Sequence, residues 1–361
     1  MIDPSTPVKN KFAGSTQRYS KYIYIAAGLI LACGFLVFIL IFGLGLERTL
    51  AHTPVSTPDF SSTLQVLISS ASPKPAASMT LAPQTVQPAG HIVLTCQIYQ
   101  LQASEQICLM NADGSDYHRL TTDDNNRHFY PSLAPDEQSV VYSGFNPLSQ
   151  HFEIYEINLI TGLTKALTNA FGDLNGPEIS PDLKTVVFTR YFNDISHPTL
   201  WLMDRDGTNF RQVSDASAWD PTWSPDGKQI LFASDKDGLD QLYIINLDGS
   251  SLRKVSDLLA LRGRSDWSPQ NLIVTYSGEP WKRELYIMNI DGSDQHQVSP
   301  KGGNSQGPSF SPDGQWIAFT AYFDKFNDIN GCEIYIMRVD GTDLRRLTNN
   351  NYCDYQPRWG P

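Results

Sequence analysis

Ser224 stands in the stretch Trp223-Ser224-Pro225-Asp226-Gly227, a hydroxyl two residues from a carboxylate. Such a pair can do nucleophilic chemistry only if a base sits beside it at one defined place. The same arrangement surrounds Ser180, Ser268 and Ser311. A hydroxyl that recurs on separate elements serves those elements, and Pro-Asp-Gly is turn chemistry, with proline fixing φ and aspartate bonding its own backbone. These serines are therefore expected to form corners. Two acidic stretches raise metal binding instead. Asp235-Lys236-Asp237-Gly238-Leu239-Asp240 lacks the glycine and the distant bidentate acid of a helix-flanked calcium loop, so an exposed loop is expected. The longer stretch 322–331 offers Asp324, Asn327, Asp328 and Asn330 as weak cation ligands. The histidines show no metal spacing, and neither HExxH nor GxxxxGK[ST] occurs, so no catalytic residue, resident metal or cofactor is expected.

The elements that carry these residues declare themselves by repetition, which has to be read before any motif is trusted. The corner recurs six times, as PSLAPD from Pro131, PEISPD from Pro177, PTWSPDG from Pro221, SDWSPQ from Ser265, PSFSPDG from Pro308 and PRWGP from Pro357. Its apolar members, Leu133, Ile179, Trp223, Trp267, Phe310 and Trp359, are spaced by 46, 44, 44, 43 and 49 residues. Each of the first five copies is followed by an apolar run, by a second run around one aromatic (Tyr155, Trp201, Tyr243, Tyr286, Tyr335), by an Asp-Gly or Thr-Gly turn, and by an apolar residue plus a hydroxyl. Four short β-rich runs per unit, with tight turns between them, describe a four-stranded antiparallel blade. The last copy lacks its later strands, and residues 92–121 supply those strands without the first one. The fold is thus all-β, a six-bladed β-propeller over 91–361, closed by pairing of its N- and C-terminal strands so that no sheet edge is left free.

WSPDGKQILFAS with QLYIINLDGSSLRKVS resembles the repeat of TolB-type propellers, related to the propeller segments of the dipeptidyl peptidase IV and tricorn proteases, and the resemblance covers 91–361. It implies the propeller fold. The WD-repeat family is not resembled, since the one Trp-Asp dipeptide, Trp219-Asp220, falls in a loop before an inner strand. The peptidase relatives need a hydrolase domain and none follows the last repeat, so peptidase activity is not expected of this polypeptide. TolB itself carries a small α/β domain before its propeller, where this chain has a different composition.

That preceding segment divides three ways. Residues 1–21 form a basic tail, with Lys9, Lys11, Arg18 and Lys21 against Asp3. Tyr22 to Leu46 is uncharged, and at ~1.5 Å per residue it can cross a ~30 Å hydrocarbon core as a transmembrane helix. The basic flank is expected to stay cytoplasmic and the rest to be exported, which makes the chain a single-pass cell-membrane protein with an extracytoplasmic propeller. Residues 47–90, rich in Pro, Ser, Thr and Ala, are expected to be a disordered stalk. The chain carries −11 overall, with +3 in the tail and zero from 22 to 90, so the propeller carries −14. No nucleic-acid partner is expected of such a surface.

Outside the anchor there are four cysteines with no zinc spacing, and an exported domain favours disulfides. Cys332 and Cys353 are expected on loops of one face. Cys96 and Cys108, symmetric about residue 102 of a hairpin, are expected to face each other. By the repeat phasing, the loops that enter the inner strands surround one mouth of the central channel: Arg127, His128 and Tyr130; Asp173 and Asn175; Trp219 and Asp220; Arg264 and Asp266; Asn304 and Gln306; Asp354, Tyr355 and Gln356. These differ from blade to blade, so recognition is expected there. The expected function is noncatalytic recognition or scaffolding for an envelope or extracellular protein. The alternatives are a glycan-active, lyase-like enzyme or a small-ligand binder at the channel mouth, or a sensor ectodomain. His128 is the one histidine in the mouth loops, with His197 placed in a between-strand loop of the same face. Deleting residues 356–361 should lower the melting temperature of the whole propeller in one cooperative transition; a truncated chain that melts unchanged would rule out ring closure.

Overall fold

A computed structural model describes residues 87–99, 105–192, 194–261, 263–323 and 331–361. The chain divides into two units, Met1–Thr80 and Leu81–Pro361, and the first lies wholly outside the described residues. So do the expected tail and span, most of the stalk, and the candidate cation ligands Asp324, Asn327, Asp328 and Asn330. Among the described residues no helix is long and apolar enough to cross a membrane.

Twenty-four strands make six antiparallel sheets of four. The first blade contains β1 (His91–Gln97), β2 (Glu105–Asn111) and β3 (His118–Arg119). The second has β4 (His128–Leu133), β5 (Ser139–Asn146), β6 (His151–Asn158) and β7 (Thr164–Ala166), and the third β8 (Asp173–Ile179), β9 (Thr185–Phe192), β10 (Asp194–Asp204) and β11 (Arg211–Ser214). The fourth runs β12 (Trp219–Trp223), β13 (Gln229–Ser234), β14 (Gln241–Asn246), β15 (Arg253–Lys254); the fifth β16 (Asp266–Trp267), β17 (Leu272–Ser277), β18 (Glu284–Asn289), β19 (His296–Gln297). The sixth holds β20 (Gln306–Phe310), β21 (Trp316–Ala321), β22 (Glu333–Arg338) and β23 (Arg345–Arg346). The last strand, β24 (Asp354–Gly360), returns to pair with β1, from His91 opposite Gly360 to Cys96 opposite Asp354. Residues 89 and 90, assigned to the stalk by composition, are tied to this seam: the Trp359 indole N–H donates to the Ala89 carbonyl at 2.8 Å.

The middle strands read as continuous apolar runs because each sheet is covered on both faces. On β13, Ile230 and Phe232 pack with Val187, Leu200 and Trp223 towards the third blade. Leu231 and Ala233 of the same strand pack with Leu242, Trp267 and Ile273 towards the fifth. Six such apolar clusters occupy the six interfaces between blades.

Two polar devices recur. At the inner corner, Ser224 Oγ donates to Asp226 at 2.8 Å and accepts from the Gln229 N–H at 2.9 Å, while Ser180 and Ser311 repeat the bond to Asp182 and Asp313 at 2.6 Å. At the outer edge, the closing hydroxyl fastens the fourth strand to the third. Thr168 donates to Glu153 at 2.6 Å and accepts from the Ile154 N–H, and the Thr348–Glu333 and Ser256–Gln241 pairs do the same. Every expected corner serine described is thus spent on folding.

Both disulfides lie at the closure. Cys332–Cys353 fastens the sixth blade to β24, and Cys96–Cys108 bridges β1 to β2. The hairpin register differs from symmetry about residue 102, since Cys96 lies opposite Gln106 and Cys108 opposite Leu94. The bridge therefore crosses the ladder diagonally, with the Cα atoms 5.9 Å apart. His197, expected in a loop, falls within β10.

The Asp-Gly turns set the spacing between blades. A Cβ on Gly249 (φ +84°) would lie 2.7 Å from the Val213 carbonyl oxygen of the preceding blade, and one on Gly341 2.6 Å from that of Val298. Gly162 (φ +69°) has open space around it. Gly162→Ala should therefore cost only the left-handed backbone strain of about 1 kcal/mol. Gly249→Ala should cost about 1–3 kcal/mol more, because the clash is with backbone; equal midpoints in urea for the two variants would show that the turn does not gauge the interface.

Candidate functional site

The inner strands do not run straight along the channel. Their pairing slips between Phe129 and Ser132, between Asn175 and Glu178, between Trp219 and Thr222, and between Gln306 and Ser309, and the β1 pairing slips opposite β24. At each slip one residue adopts a left-handed backbone: Tyr130 (φ 54°), Gly176 (62°), Asp220 (51°), Gly307 (60°) and Gln356 (55°). A proline follows in all five, where a bulge makes its missing N–H harmless to the ladder. The fifth blade has Ser265 in place of that proline, and Arg264 lacks the left-handed backbone. The bulge re-aims the chain, so that each inner strand presents one side chain to the upper channel and, two residues later, another to its narrow middle.

In the middle stand the second residues of the repeated corner, including Glu178, Thr222, Asp266, Ser309 and Arg358. Arg358, from the closing strand, is buried and donates to Glu178 at 2.9 Å and approaches Asp266 at 3.2 Å. Glu178 also accepts from Thr222 Oγ1 (3.1 Å) and the Trp223 N–H (3.3 Å). Asp266 accepts from Ser309 Oγ (2.8 Å) and the Phe310 N–H (2.7 Å). Burial alone would lower the Arg358 guanidinium, but the carboxylates of Glu178, Asp266 and Asp220 outweigh it and hold it above its ordinary value. This network stands across the channel from the closing strand to the third and fifth blades, and only a pocket of about 10 Å³ lies between it and Tyr130, Asp220 and Arg264. On its far side lies a second cavity of about 290 Å³, walled by Trp223, Trp267, Phe310 and Trp359.

On the near side the channel opens as a funnel of about 330 Å³. Of the residues expected at the mouth, Tyr130, Asp220, Arg264, Gln306, Tyr355 and Gln356 line it together. Gln356 accepts from Thr95 Oγ1 at 2.9 Å and from the Tyr130 N–H at 3.0 Å. Asp220 accepts from the Arg264 N–H at 2.9 Å, and burial pushes its carboxyl up. Burial also pushes up the Tyr130 and Tyr355 phenols, so both stay protonated. Burial, aided by the Arg358 charge, pulls the Arg264 guanidinium down to about 10.

The others stand elsewhere. Arg127 is paired with Glu105 at 2.8 Å. His128 is buried edge-on against Tyr142 (5.2 Å between rings), and burial lowers it to about 4. Asp173 accepts from the Phe152 N–H, Asn175 sits in the β8–β9 ladder, and Trp219 packs into the core between the fourth and fifth blades. Asp266 belongs to the network below the funnel. Asn304 accepts a long 3.4 Å bond from the Arg283 N–H. Asp354 accepts from Tyr117 and Asn350, and burial raises it to about 7. In the exposed acidic loop, Asp237 accepts from Tyr243 and Lys236. Among the described residues no cluster of His, Cys, Asp and Glu has the geometry of a metal site.

Sequence reasoning missed Tyr276, Arg283, Thr320 and Tyr322 in the funnel wall, because they come from the second strands of their blades and from the loops that link second and third strands rather than from the inner ones. It also missed the ion network, whose signal was a position that varies (Ser132, Glu178, Thr222, Asp266, Ser309, Arg358) inside an otherwise constant corner. Contrary to the expectation that the chain has no peptidase-type GxSxG, Gly303-Asn304-Ser305-Gln306-Gly307 spells that motif. Here it leads into an inner strand without the strand-to-helix elbow that exposes a nucleophile, and Ser305 is fully buried.

The family model for the TolB beta propeller domain matches residues 91–277. An uncharacterised protein of Agrobacterium fabrum is 28% identical over 163 residues, which cover 41% of this chain and 54% of that one. An uncharacterised peptidase of Bacillus subtilis is 29% identical over 157 residues, 33% of this chain and 24% of the relative. The chain thus spans about half or less of the curated relatives it matches. The crystal structure of TolB from Acinetobacter baumannii superposes with a TM-score of 0.65 at 23% identity, covering 75% of this chain and 67% of that one, a likeness of fold.

Removing Arg358 alone strands two carboxylates that are mostly out of solvent. Arg358→Met should cost about 3–5 kcal/mol in denaturant unfolding, and adding Glu178→Gln and Asp266→Asn should restore part of the loss; no recovery in the triple variant would show that Arg358 acts through packing rather than charge.

Proposed function

We propose that this chain, which belongs to the TolB beta propeller domain family, is a noncatalytic recognition module that engages a partner protein through the funnel face. One observation carries the reading. At the bulge, Gly176 and Gly307 adopt a left-handed backbone at no steric cost, whereas Tyr130, Asp220 and Gln356 adopt it with side chains attached. Each costs roughly 1–2 kcal/mol. Strain of that kind persists where the side chain is needed, and all three side chains line the funnel. The remaining wall includes Tyr276, Tyr322 and Tyr355 and the guanidinium groups of Arg264 and Arg283, the residue types on which protein interfaces place their binding energy. The membrane-anchored display read from residues 22–46 and 47–90 belongs to the same proposal: a basic cytoplasmic tail, one span, and a stalk that holds the propeller away from the bilayer towards an envelope or extracellular protein. His128, on which a lyase-like reading would rely, stands outside the funnel.

Photo-crosslinking in intact cells tests this. A photoreactive residue at Tyr355 should capture one partner that the same group at exposed Leu252 does not. Tyr322→Ala, at a half-buried wall position, should abolish the capture while costing about 1–2 kcal/mol of folding stability. Capture that is identical from both positions, or that survives Tyr322→Ala, would remove the funnel from the function.

A further inference from the structure

We propose that the funnel holds a single carboxylate of an extended polypeptide segment between Arg264 and Arg283; this rests on the recognition reading above and names its chemistry. Elsewhere in the propeller, Arg358 and Arg205 leave the solvent with carboxylates in salt-bridge contact, Glu178 and Asp266 for the first and Glu156 and Asp136 for the second. The two guanidinium groups of the funnel have no such contact among the described residues. Arg264 is only 7% exposed, donates a single long bond of 3.5 Å to the Gln356 carbonyl, and has no acceptor for Nε; the Tyr130 ring lies 5.4 Å away, and the Asp220 and Glu178 carboxylates act on it only from beyond salt-bridge contact. Arg283 donates from Nη1 to Gln306 Oε1 at 2.5 Å and also has no acceptor for Nε. Neither makes an ion pair among the described residues. Burying a guanidinium without a counter-charge is costly, so a structure that keeps two facing one cavity is completed by an anion from outside.

The geometry narrows that anion. Planar guanidinium forks match a carboxylate with two parallel N–H donors. Among the described residues Asp220 is the one acid in the funnel wall, and its carboxylate is already held by the Arg264 backbone N–H, so it balances one of the two charges and leaves the other. The −14 carried by residues 91–361 repels a polyanion such as an acidic glycan, and a lone carboxylate on an otherwise neutral segment escapes most of that repulsion. The Arg358 network blocks the floor, so a segment cannot thread through. What fits is a tip, either a free chain end or a single acidic side chain, with tyrosine rings along its flanks.

Calorimetric titration of the full-length chain in detergent micelles separates these sources. Three probes are used: acetyl-Ala-Ala-Ala with a free C-terminus, acetyl-Ala-Glu-Ala amide, and acetyl-Ala-Ala-Ala amide. At least one acidic probe should bind with Kd of roughly 1 mM, and the neutral amide should not. Binding by the free terminus alone assigns a chain end, and binding by the glutamate peptide alone assigns a side chain. Arg283→Gln, at a half-buried position where the fold is expected to tolerate it, should weaken binding about tenfold or more, and Arg283→Lys by less. If neither acidic probe exceeds the amide at about 20 mM, or Arg283→Gln leaves the affinity unchanged, the carboxylate site is wrong. Partner capture from Tyr355 that persists under such a result would leave the recognition face standing without this chemistry. Carboxylate binding without any captured partner would leave the site standing and remove the protein-recognition reading.

Discussion

The pairing of β24 with β1 bears more of this structure than its seven residues suggest. Every blade buries both faces of its sheet against its neighbours, so no blade is complete until the ring is, and the ring is completed by that one ladder. The same strand carries Trp359 into the apolar cluster between the sixth and first blades, and Arg358 into the channel, where it reaches carboxylates of the third and fifth blades. A strand that arrives last in the sequence thus makes the edge pairing, part of the core and the axial ion network at once. Local errors there propagate around the molecule, because loss of the ladder exposes apolar surface on two interfaces together.

Above the network, the bulge divides labour within each inner strand. One residue turns back towards the fold and its neighbour two positions earlier turns to the funnel. Glycine would serve the backbone at every bulge, and where the chain retains tyrosine, aspartate or glutamine it accepts strain for the sake of a side chain. The funnel is therefore rigid, since Gln356 is clamped by Thr95 and the Tyr130 N–H and Asp220 by the Arg264 N–H. Rigid presentation lowers the entropy that binding must overcome.

Much of the fold was legible because repetition reports geometry. Trp223, Trp267, Phe310 and Trp359 recur at blade spacing since each fills the same place beside the axis, and the missing strands at the two ends of 91–361 told of closure. The functional face was only half legible. Phasing located Tyr130, Asp220, Arg264 and Gln356, whose neighbours in sequence are corner motifs. It placed Arg127, His128, Asp173 and Trp219 in the same group, because a period-2 strand without its bulge points the wrong neighbours at the channel. Arg283 and Tyr322 were invisible, being brought to the funnel by the far ends of other strands. The Cys96–Cys108 register escaped for a related reason, in that symmetry about a loop midpoint holds only when the loop adds no offset between its strands.

The two disulfides have a mechanical meaning. A pull that enters the propeller at Gly90 acts on the first residue of β1 and would peel that strand from β24 and β2 together. It can free only residues 91 to 95 before it meets Cys96, which is bonded to Cys108 on β2. Peeling β24 from its own start is likewise arrested by Cys353, held to Cys332 in the sixth blade. Force delivered along the chain is thus handed from hydrogen bonds to covalent bonds within one strand length, and the ring bears load at the one place where its backbone is not continuous.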